Sequence, residues 1–424
     1  MHRLRLPVAC AALVLMVCVV GCEWWRPKIP PPSGNRVVLI GLDAATWDVI
    51  RPLMDAGDLP TIKSLVDRGW SGVLRSMEPT LSPMVWTTIA SGRLPAHHGV
   101  LGFLAPTQDG TEVPVTSNLR RVEALWTIAT RAGRSVNVIG WYVTWPTEPI
   151  NGIMVADRLG PQRENGLVGG TDSLTPEHPG ASPVSFVPTA MSLIVRADDF
   201  LSPRERAFHE RYPFYPVDAT RTAIAEYVLQ EHPADLSMIY LWGIDLTQHN
   251  FWKYHDPAHW VGPPIQPDEL AFAGDAVADY YRDTDAFLGR ILSHLRPRDT
   301  VVIVSDHGAG PVTKYDPQTG ISGEHRIEGV IIAAGPHIRH GTAAEPPGVL
   351  DVTPTVLYLL GLPAGRDMPG RVITEMLTPE QLRAHAPRRI YTWELQERHI
   401  NPWPIASKGD EGIKDKLRSL GYIR

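Results

Sequence analysis

The 424-residue chain reads as an α/β protein, built on a mostly parallel sheet with helices on both faces. Three observations predict that class. Apolar runs rich in Val and Ile recur along the chain. They are nearly continuous rather than alternating, as strands covered on both faces are. Stretches of helical period separate them. Open sheets of this kind collect their ligands at the carboxyl ends of the strands.

The expected strands are VVLIGLD (37–43), VNVIG (136–140), LSMIYLWGID (236–245), TVVIVSDHG (300–308) and GVIIAAG (329–335). One intervening helix is marked by Val277, Tyr281, Thr284, Leu288, Ile291 and Leu295, and it leads directly into the strand at 300. DVTPTVLYLLGLP (351–363) reads as a capped helix of the same domain. Residues 155–215 show neither period, which suggests a lid or a substrate-binding insertion. A shorter Trp- and Pro-rich insertion, FWKYHDPAHWVGPPIQP, follows residue 250. The domain is expected over 36–375. Residues 376–424 are set off as a polar C-terminal extension ending in a short helix, KDKLRSLGYI. No internal repeat is visible.

The net charge of −6 leaves no Lys/Arg stripe to neutralise phosphates, so no nucleic-acid binding is expected. The N-terminus, MHRLRLPVACAALVLMVCVVGCEWW, reads as a targeting segment with a basic start at Arg3 and Arg5. Its apolar run of roughly fifteen residues is shorter than the ~20 that span a bilayer. The run ends in Val19-Val20-Gly21-Cys22, which looks like a bacterial lipobox. Residues 1–21 are therefore expected to be a lipoprotein signal peptide, with Cys22 lipidated and the protein facing the periplasm or the cell exterior. An ordinary signal peptide or a short membrane anchor is the alternative. Residues 22–35, with PKIPPPSG inside them, read as a stiff tether. All three cysteines (Cys10, Cys18 and Cys22) lie in the leader, so a metal in the folded part must be held by N and O ligands.

Three of the expected strands end in an acid: Asp43, Asp245 and Asp306. One such carboxylate usually caps the next helix. Three at equivalent strand ends would converge as an acidic cluster that demands cations. Histidines accompany them. Asp245 and His249 have the i, i+4 spacing of one helical face. Asp306 and His307 are adjacent at a turn, where Gly308 permits close backbone approach. His325 precedes the strand at 329. Ser82, just before Pro83 and the apolar VWTTIA, falls at a helix N-terminus, where an alkoxide is favoured; a plain N-cap serine is the simpler reading of that residue alone.

The order of these motifs resembles the alkaline phosphatase superfamily. The likeness is in particular to its type I phosphodiesterase/nucleotide pyrophosphatase branch and the bacterial phosphohydrolase/phosphomutase relatives, over roughly residues 36–375. The first Asp is matched by Asp43. The S-G-x-x-P-x-x-H-G motif is matched by Ser91-Gly92-Arg93-Leu94-Pro95-Ala96-His97-His98-Gly99, which places the nucleophile at Ser82. D-x-x-x-H is matched by Asp245 and His249, D-H-G by Asp306, His307 and Gly308, and the last His by His325. The resemblance implies a three-layer fold with a lid insertion and a two-metal phosphoric ester hydrolase. One metal would lie at Asp245, His249 and His325. The other would lie at Asp43, Asp306, His307 and the Ser82 oxygen, about 4 Å away. Zn²⁺ suits these ligands best, with Mn²⁺ or Fe as alternatives. The Ser82 alkoxide would attack phosphorus and pass through a phosphoseryl intermediate. His98 is expected to be structural.

The match has gaps. Where nucleotide pyrophosphatases carry a phosphate-contacting Asn, this chain has Phe103. Phosphomonoesterases of the superfamily use an Arg near the nucleophile, for which Arg93 and Arg326 are the candidates. Trp86, Trp242 and Trp252 read as core residues, with stacking on a substrate as the alternative. A sulfatase would need C/S-x-P-x-R, whereas Ser82-Pro83-Met84-Val85-Trp86 lacks the Arg. The competing readings are a phosphomonoesterase or phosphomutase with the same site, or a non-catalytic metal-stabilised binding lipoprotein. Small phosphodiesters or nucleotide-like pyrophosphates are the expected substrates.

Overall fold

The computed structural model describes residues 35–158, 192–195, 215–394 and 401–423. The expected signal peptide, Cys22, nearly all of the tether and most of the 155–215 insertion lie outside the described residues. Among the described residues, no helix is long and apolar enough to cross a membrane.

The strands in chain order are β1 (Val37–Leu42), β2 (Trp70–Arg75), the β3–β4 hairpin (Leu104–Pro106 and Glu112–Pro114), β5 (Val136–Ile139), β6 (Gly152–Val155) and β7 (Leu236–Leu241). They continue with β8 (Thr300–Val304), β9 (Gly308–Pro311), β10 (Gly323–Arg326), β11 (Glu328–Ala334) and β12 (Gly341–Thr342), and end with β13 (Ala364–Gly365) and β14 (Arg389–Ile390). The helices used below are α1 (Trp47–Asp55), α2 (Pro60–Arg68), α3 (Ser82–Ser91), α4 (Leu125–Arg131), α5 (Tyr215–Glu231), α6 (Gly243–His255), α7 (Ala276–Ser293), α8 (Val352–Leu359) and α9 (Asp410–Ser419).

Eight strands form the central sheet, in the order β12-β2-β11-β8-β1-β7-β5-β6. The strands β8, β1, β7, β5 and β6 are mutually parallel, as their continuous apolar runs predict. Side chains along β1 alternate between two cores. Val38, Ile40 and Leu42 enter a cluster with residues of α1, α2, α5, α6 and α7. Val37 and Leu39 enter another, with residues of α3, α4 and α8. The result is the expected helix–sheet–helix sandwich.

One strand reverses the expectation. β11, read from sequence as another parallel strand, runs antiparallel to both β8 and β2. The reason lies in the connection. A parallel return needs a crossover, usually helical, whereas β8 leads to β11 through the antiparallel pair β9–β10. The WSGVLR strand β2, only partly buried, has too mixed a pattern to stand out in sequence. The segment after 376 also packs on the domain: β14 pairs with β13, and Leu420, just after the last helix, joins the core cluster that holds Val38 and Ile40.

Candidate metal centre and active site

The buried site forms where β1, β7 and β8 end. Asp43 directly follows β1, and its amide extends the ladder by donating to the Leu241 carbonyl at 3.0 Å. The chain then turns through Ala44 in the left-handed region (φ 57°), a conformation rarely adopted outside glycine. That turn is held by two contacts: the Ala44 amide donates to Asp306 Oδ1 (3.3 Å), and Gln248 Nε2 donates to the Ala44 carbonyl (2.9 Å). Asp306 and His307 follow β8 and are fully buried. Gly308 is required here, since a Cβ would lie 2.2 Å from the Glu328 carbonyl oxygen.

Asp245 was expected at the end of a strand. The strand stops at Leu241, and Asp245 lies in the first turn of α6. The helical spacing to His249 therefore holds: His249 Nε2 is 3.2 Å from Asp245 Oδ1. His325 comes in from β10, with its Nε2 3.4 Å from Asp245 Oδ1 and 2.9 Å from His249 Nε2.

Two groups of ligand atoms converge, each within 4.8 Å of one another: Asp245, His249 and His325, and Asp43, Asp245 and His307. Asp306 adjoins the second group, its Oδ2 lying 3.4 Å from His307 Nε2. All six expected Asp and His ligands thus meet. The division between two separate sets is less clean in space, because Asp245 belongs to both groups.

Each imidazole is oriented from behind. Nδ1 of His249 donates to the Gly323 carbonyl (2.7 Å), that of His325 to Thr80 (2.7 Å) and that of His307 to Gly308 (3.0 Å). This fixes the tautomer and turns every Nε2 lone pair toward the carboxylates, the arrangement found behind metal-ligating histidines. The sharpest test of fit is what lacks a partner. Asp43 Oδ1, Asp306 Oδ2 and His307 Nε2 are buried with no hydrogen-bond partner, and His307 Nε2 is 3.4 Å from each of the two oxygens. Three facing acceptors with no donor are costly unless a cation lies among them. The donor set fits divalent ions.

The electrostatics agree. Burial, then the neighbouring Asp245, pushes Asp43 up to about 7. Burial and Asp43 push Asp306 well above the ordinary carboxylate range. Burial also raises Asp245, but His249 and His325 outweigh it and hold that carboxyl well below its ordinary value. Burial, then His325, drives His307 well below the ordinary imidazole range. Without added positive charge, the cluster cannot keep all its carboxylates ionised.

Ser82 is the first residue inside α3, with Leu81 as its N-cap, and it is buried. Both of its flanks are tied to the cluster. The Thr80 carbonyl accepts from His325, and Trp86, one turn along the same helical face, donates its indole N–H to Asp43 Oδ2 at 3.2 Å. The second proton on that oxygen comes from the Tyr240 hydroxyl.

The weaker substrate-binding candidates do not behave as expected. The Arg93 guanidinium is taken up by Asp367 (2.5 Å) and Glu394 (3.6 Å). Arg326 neighbours His325 in β10, so strand alternation sends it to the opposite face. There it bonds Glu324 (2.7 Å) and the Pro311 carbonyl (2.5 Å). Phe103 is buried and stacks on Tyr422, with centroids 4.4 Å apart and planes at 23°. His98 is structural. Its Nε2 contacts Thr88 Oγ1 at 3.0 Å, its Nδ1 accepts from the Val100 amide, and burial followed by Arg120 lowers its pKa to about 3.

Sequence reasoning missed Tyr240 and Tyr422. Tyr240 had a readable signal, a polar tip within an apolar strand run, in register with Gly41. Tyr422 arrives from the far end of the chain. Its hydroxyl lies 2.6 Å from Asp245 Oδ2, 2.7 Å from His249 Nε2 and 3.2 Å from His325 Nε2.

A family model described as type I phosphodiesterase/nucleotide pyrophosphatase matches residues 37–346. A solved structure of human ectonucleotide pyrophosphatase/phosphodiesterase 5 shares the fold at 13% identity and a TM-score of 0.51, covering 81% of this chain and 100% of that one. The murine counterpart aligns at 13% identity with a TM-score of 0.50, again over 81% of this chain and 100% of that one. An inactive variant of the murine protein, in complex with AMP, gives 13%, 0.51 and the same coverage. No curated protein matches the chain in sequence.

Proposed function

Since this chain belongs to the type I phosphodiesterase/nucleotide pyrophosphatase family, and is a phosphoester hydrolase, we propose that it works with two divalent cations and Ser82 as its nucleophile. The preferred substrates are phosphodiesters or nucleotide-like pyrophosphates. The observation that carries this reading is the set of partnerless buried acceptors, Asp43 Oδ1, Asp306 Oδ2 and His307 Nε2, beside a helix that begins at Ser82.

Asp245, His249 and His325 would hold one ion, and Asp43, Asp306, His307 and Ser82 the other, with Asp245 close to both. Bound there, divalent cations would lower the pKa of the Ser82 hydroxyl and offset the charge that develops on the phosphoryl oxygens. Ser82 Oγ forms a bond to phosphorus while the bond to the leaving oxygen breaks. Water then cleaves the phosphoserine ester and restores the hydroxyl. The α3 N-terminus adds a fixed favourable field at the attacking oxygen. The three backbone carbonyls behind the histidines keep the ligand lone pairs aimed inward.

Phe103 stands where the family's phosphate-contacting Asn is expected, and both candidate arginines are engaged elsewhere. Of the two substrate classes, those facts weigh toward a phosphodiester over a nucleotide-like pyrophosphate. The test is metal analysis of the purified chain together with turnover of a generic diester against a generic monoester. Diester turnover with two ions bound supports the reading; a metal-free protein that still turns over would overturn it. In Ser82→Ala, turnover should fall by at least about a thousandfold while the ion content stays near two. We also propose that Cys22 is lipidated and holds the enzyme at a membrane; recovery of the parent chain with an unmodified Cys22 in a soluble fraction would refute this.

A further inference from the structure

With both imidazoles in the neutral form that ligates a metal, the donors around the Tyr422 hydroxyl do not add up as a hydrogen-bonded cluster. Three acceptor atoms surround the phenol oxygen: Asp245 Oδ2 at 2.6 Å, His249 Nε2 at 2.7 Å and His325 Nε2 at 3.2 Å. Both imidazoles spend their Nδ1 protons on backbone carbonyls. The phenol brings one proton and can give it to one acceptor. That leaves two nitrogen lone pairs aimed at an oxygen lone pair, with the nitrogens themselves 2.9 Å apart. Four donor atoms of N₂O₂ type thus point at one small volume, which is the composition of a four-coordinate divalent site.

We infer that Tyr422 is the fourth protein ligand of the cation held by Asp245, His249 and His325, supplied by the C-terminal tail. This rests on the two-cation reading above and extends it to a residue outside the matched 37–346 segment.

Tyr422 is held in place by local structure. Helix α9 ends in a Schellman motif. The Tyr422 amide donates to the Leu417 carbonyl at 2.9 Å, the Gly421 amide donates to Arg418 at 3.0 Å, and Gly421 takes φ +70°. The ring is clamped against Phe103, so the family's phosphate-contacting position is given over to seating the tail. At the other end of α9, the buried Arg158–Asp410 ion pair (3.0 Å) anchors the helix. Three protein ligands leave a catalytic cation an open position, whereas four close it. Tyr422 therefore covers this position until substrate displaces it, and the last helix works as a self-supplied cap.

The test uses the full chain, its Tyr422→Phe variant and a form ending at Leu420. Zn²⁺ binding is followed by competition with a chelator, and the visible spectrum is recorded after Co²⁺ loading. Tyr422→Phe keeps the ring that stacks on Phe103, so the fold should survive. In both altered chains, one of the two Zn²⁺ ions should bind about 10- to 100-fold more weakly, and the Co²⁺ bands of that site should change in intensity. If the parent takes two ions and Tyr422→Phe matches it in affinity and spectrum, the ligand role is wrong while the two-cation reading stands. If the parent takes none, both are wrong.

Discussion

The indole nitrogen of Trp86 lies 3.2 Å from Oδ2 of Asp43, so a helix on one side of the sheet restrains a carboxylate at the end of its first central strand. The approach is possible because β1 carries Gly41 beneath the ring. A Cβ there would sit 2.7 Å from two Trp86 ring atoms. Trp86 is also wedged edge-on between Trp141 (5.1 Å) and Tyr240 (5.0 Å), and cannot slide away.

Gly41→Ala should therefore destabilise the protein by about 1–3 kcal/mol through overpacking. It should also lower turnover by displacing the indole from Asp43. Thermal unfolding and steady-state rates together check this, and a variant as stable and active as the parent would contradict it.

Arg158 is buried, bonded to Asp410 at 3.0 Å, with its guanidinium 3.9 Å from the Trp145 ring centroid. Removing one partner leaves the other charge buried and unpaired. Arg158→Ala should cost roughly 3–5 kcal/mol and expose the last helix to proteolysis before the rest of the domain. Limited digestion read by mass spectrometry would show whether the C-terminus is cut first.

Gly421→Val puts a β-branched residue at φ +70°, with its Cβ 2.6 Å from Ile321 Cδ1 and 3.0 Å from Thr319 Cγ2. The left-handed conformation alone costs on the order of 1–2 kcal/mol, and the clash adds to it. Amide exchange over residues 410–423 should accelerate by at least about tenfold, with the central strands unchanged. Equal protection in the variant would mean that the helix end does not depend on this glycine.

Lys416 is half-buried, with its ammonium 3.5 Å from the Trp242 ring centroid. Burial, then Arg221, lowers its pKa from 10.5 to about 7, against the pull of Asp218. The folded protein therefore holds fewer protons than the unfolded chain between pH 7 and 10.5. By linkage, stability rises with pH across that window, and the cost of burying the charge is complete below it. Lys416→Met should remove this slope and raise the melting temperature at neutral pH relative to the parent. Parallel melting curves against pH would disclose a persisting slope, which would assign it to another group.

Much of the site could be read in the sequence because its parts are local. Asp245 and His249 need only a helical turn, Asp306 and His307 only a strand end, and the apolar strand runs announce which ends converge. The strand direction of β11 was not legible, since its own residues match a parallel strand and only the short β9–β10 return reverses it. Arg93 and Arg326 misled for a related reason. Proximity in sequence says nothing about which face a side chain takes, and acids at 324, 367 and 394 claim both groups.

Five apolar strand runs, the six Asp and His residues that meet at the site, the serine that opens α3 and the N/O character expected of any metal site were all legible in the sequence, because hydrophobic period and motif spacing are short-range properties. Tertiary structure alone decided that Asp245 stands between the two ligand groups, that Tyr240 and Trp86 both donate to Asp43, and that Tyr422 reaches a carboxylate 177 positions away. The physical reason is that no local pattern encodes a contact whose partners meet only after the last helix has packed on the core.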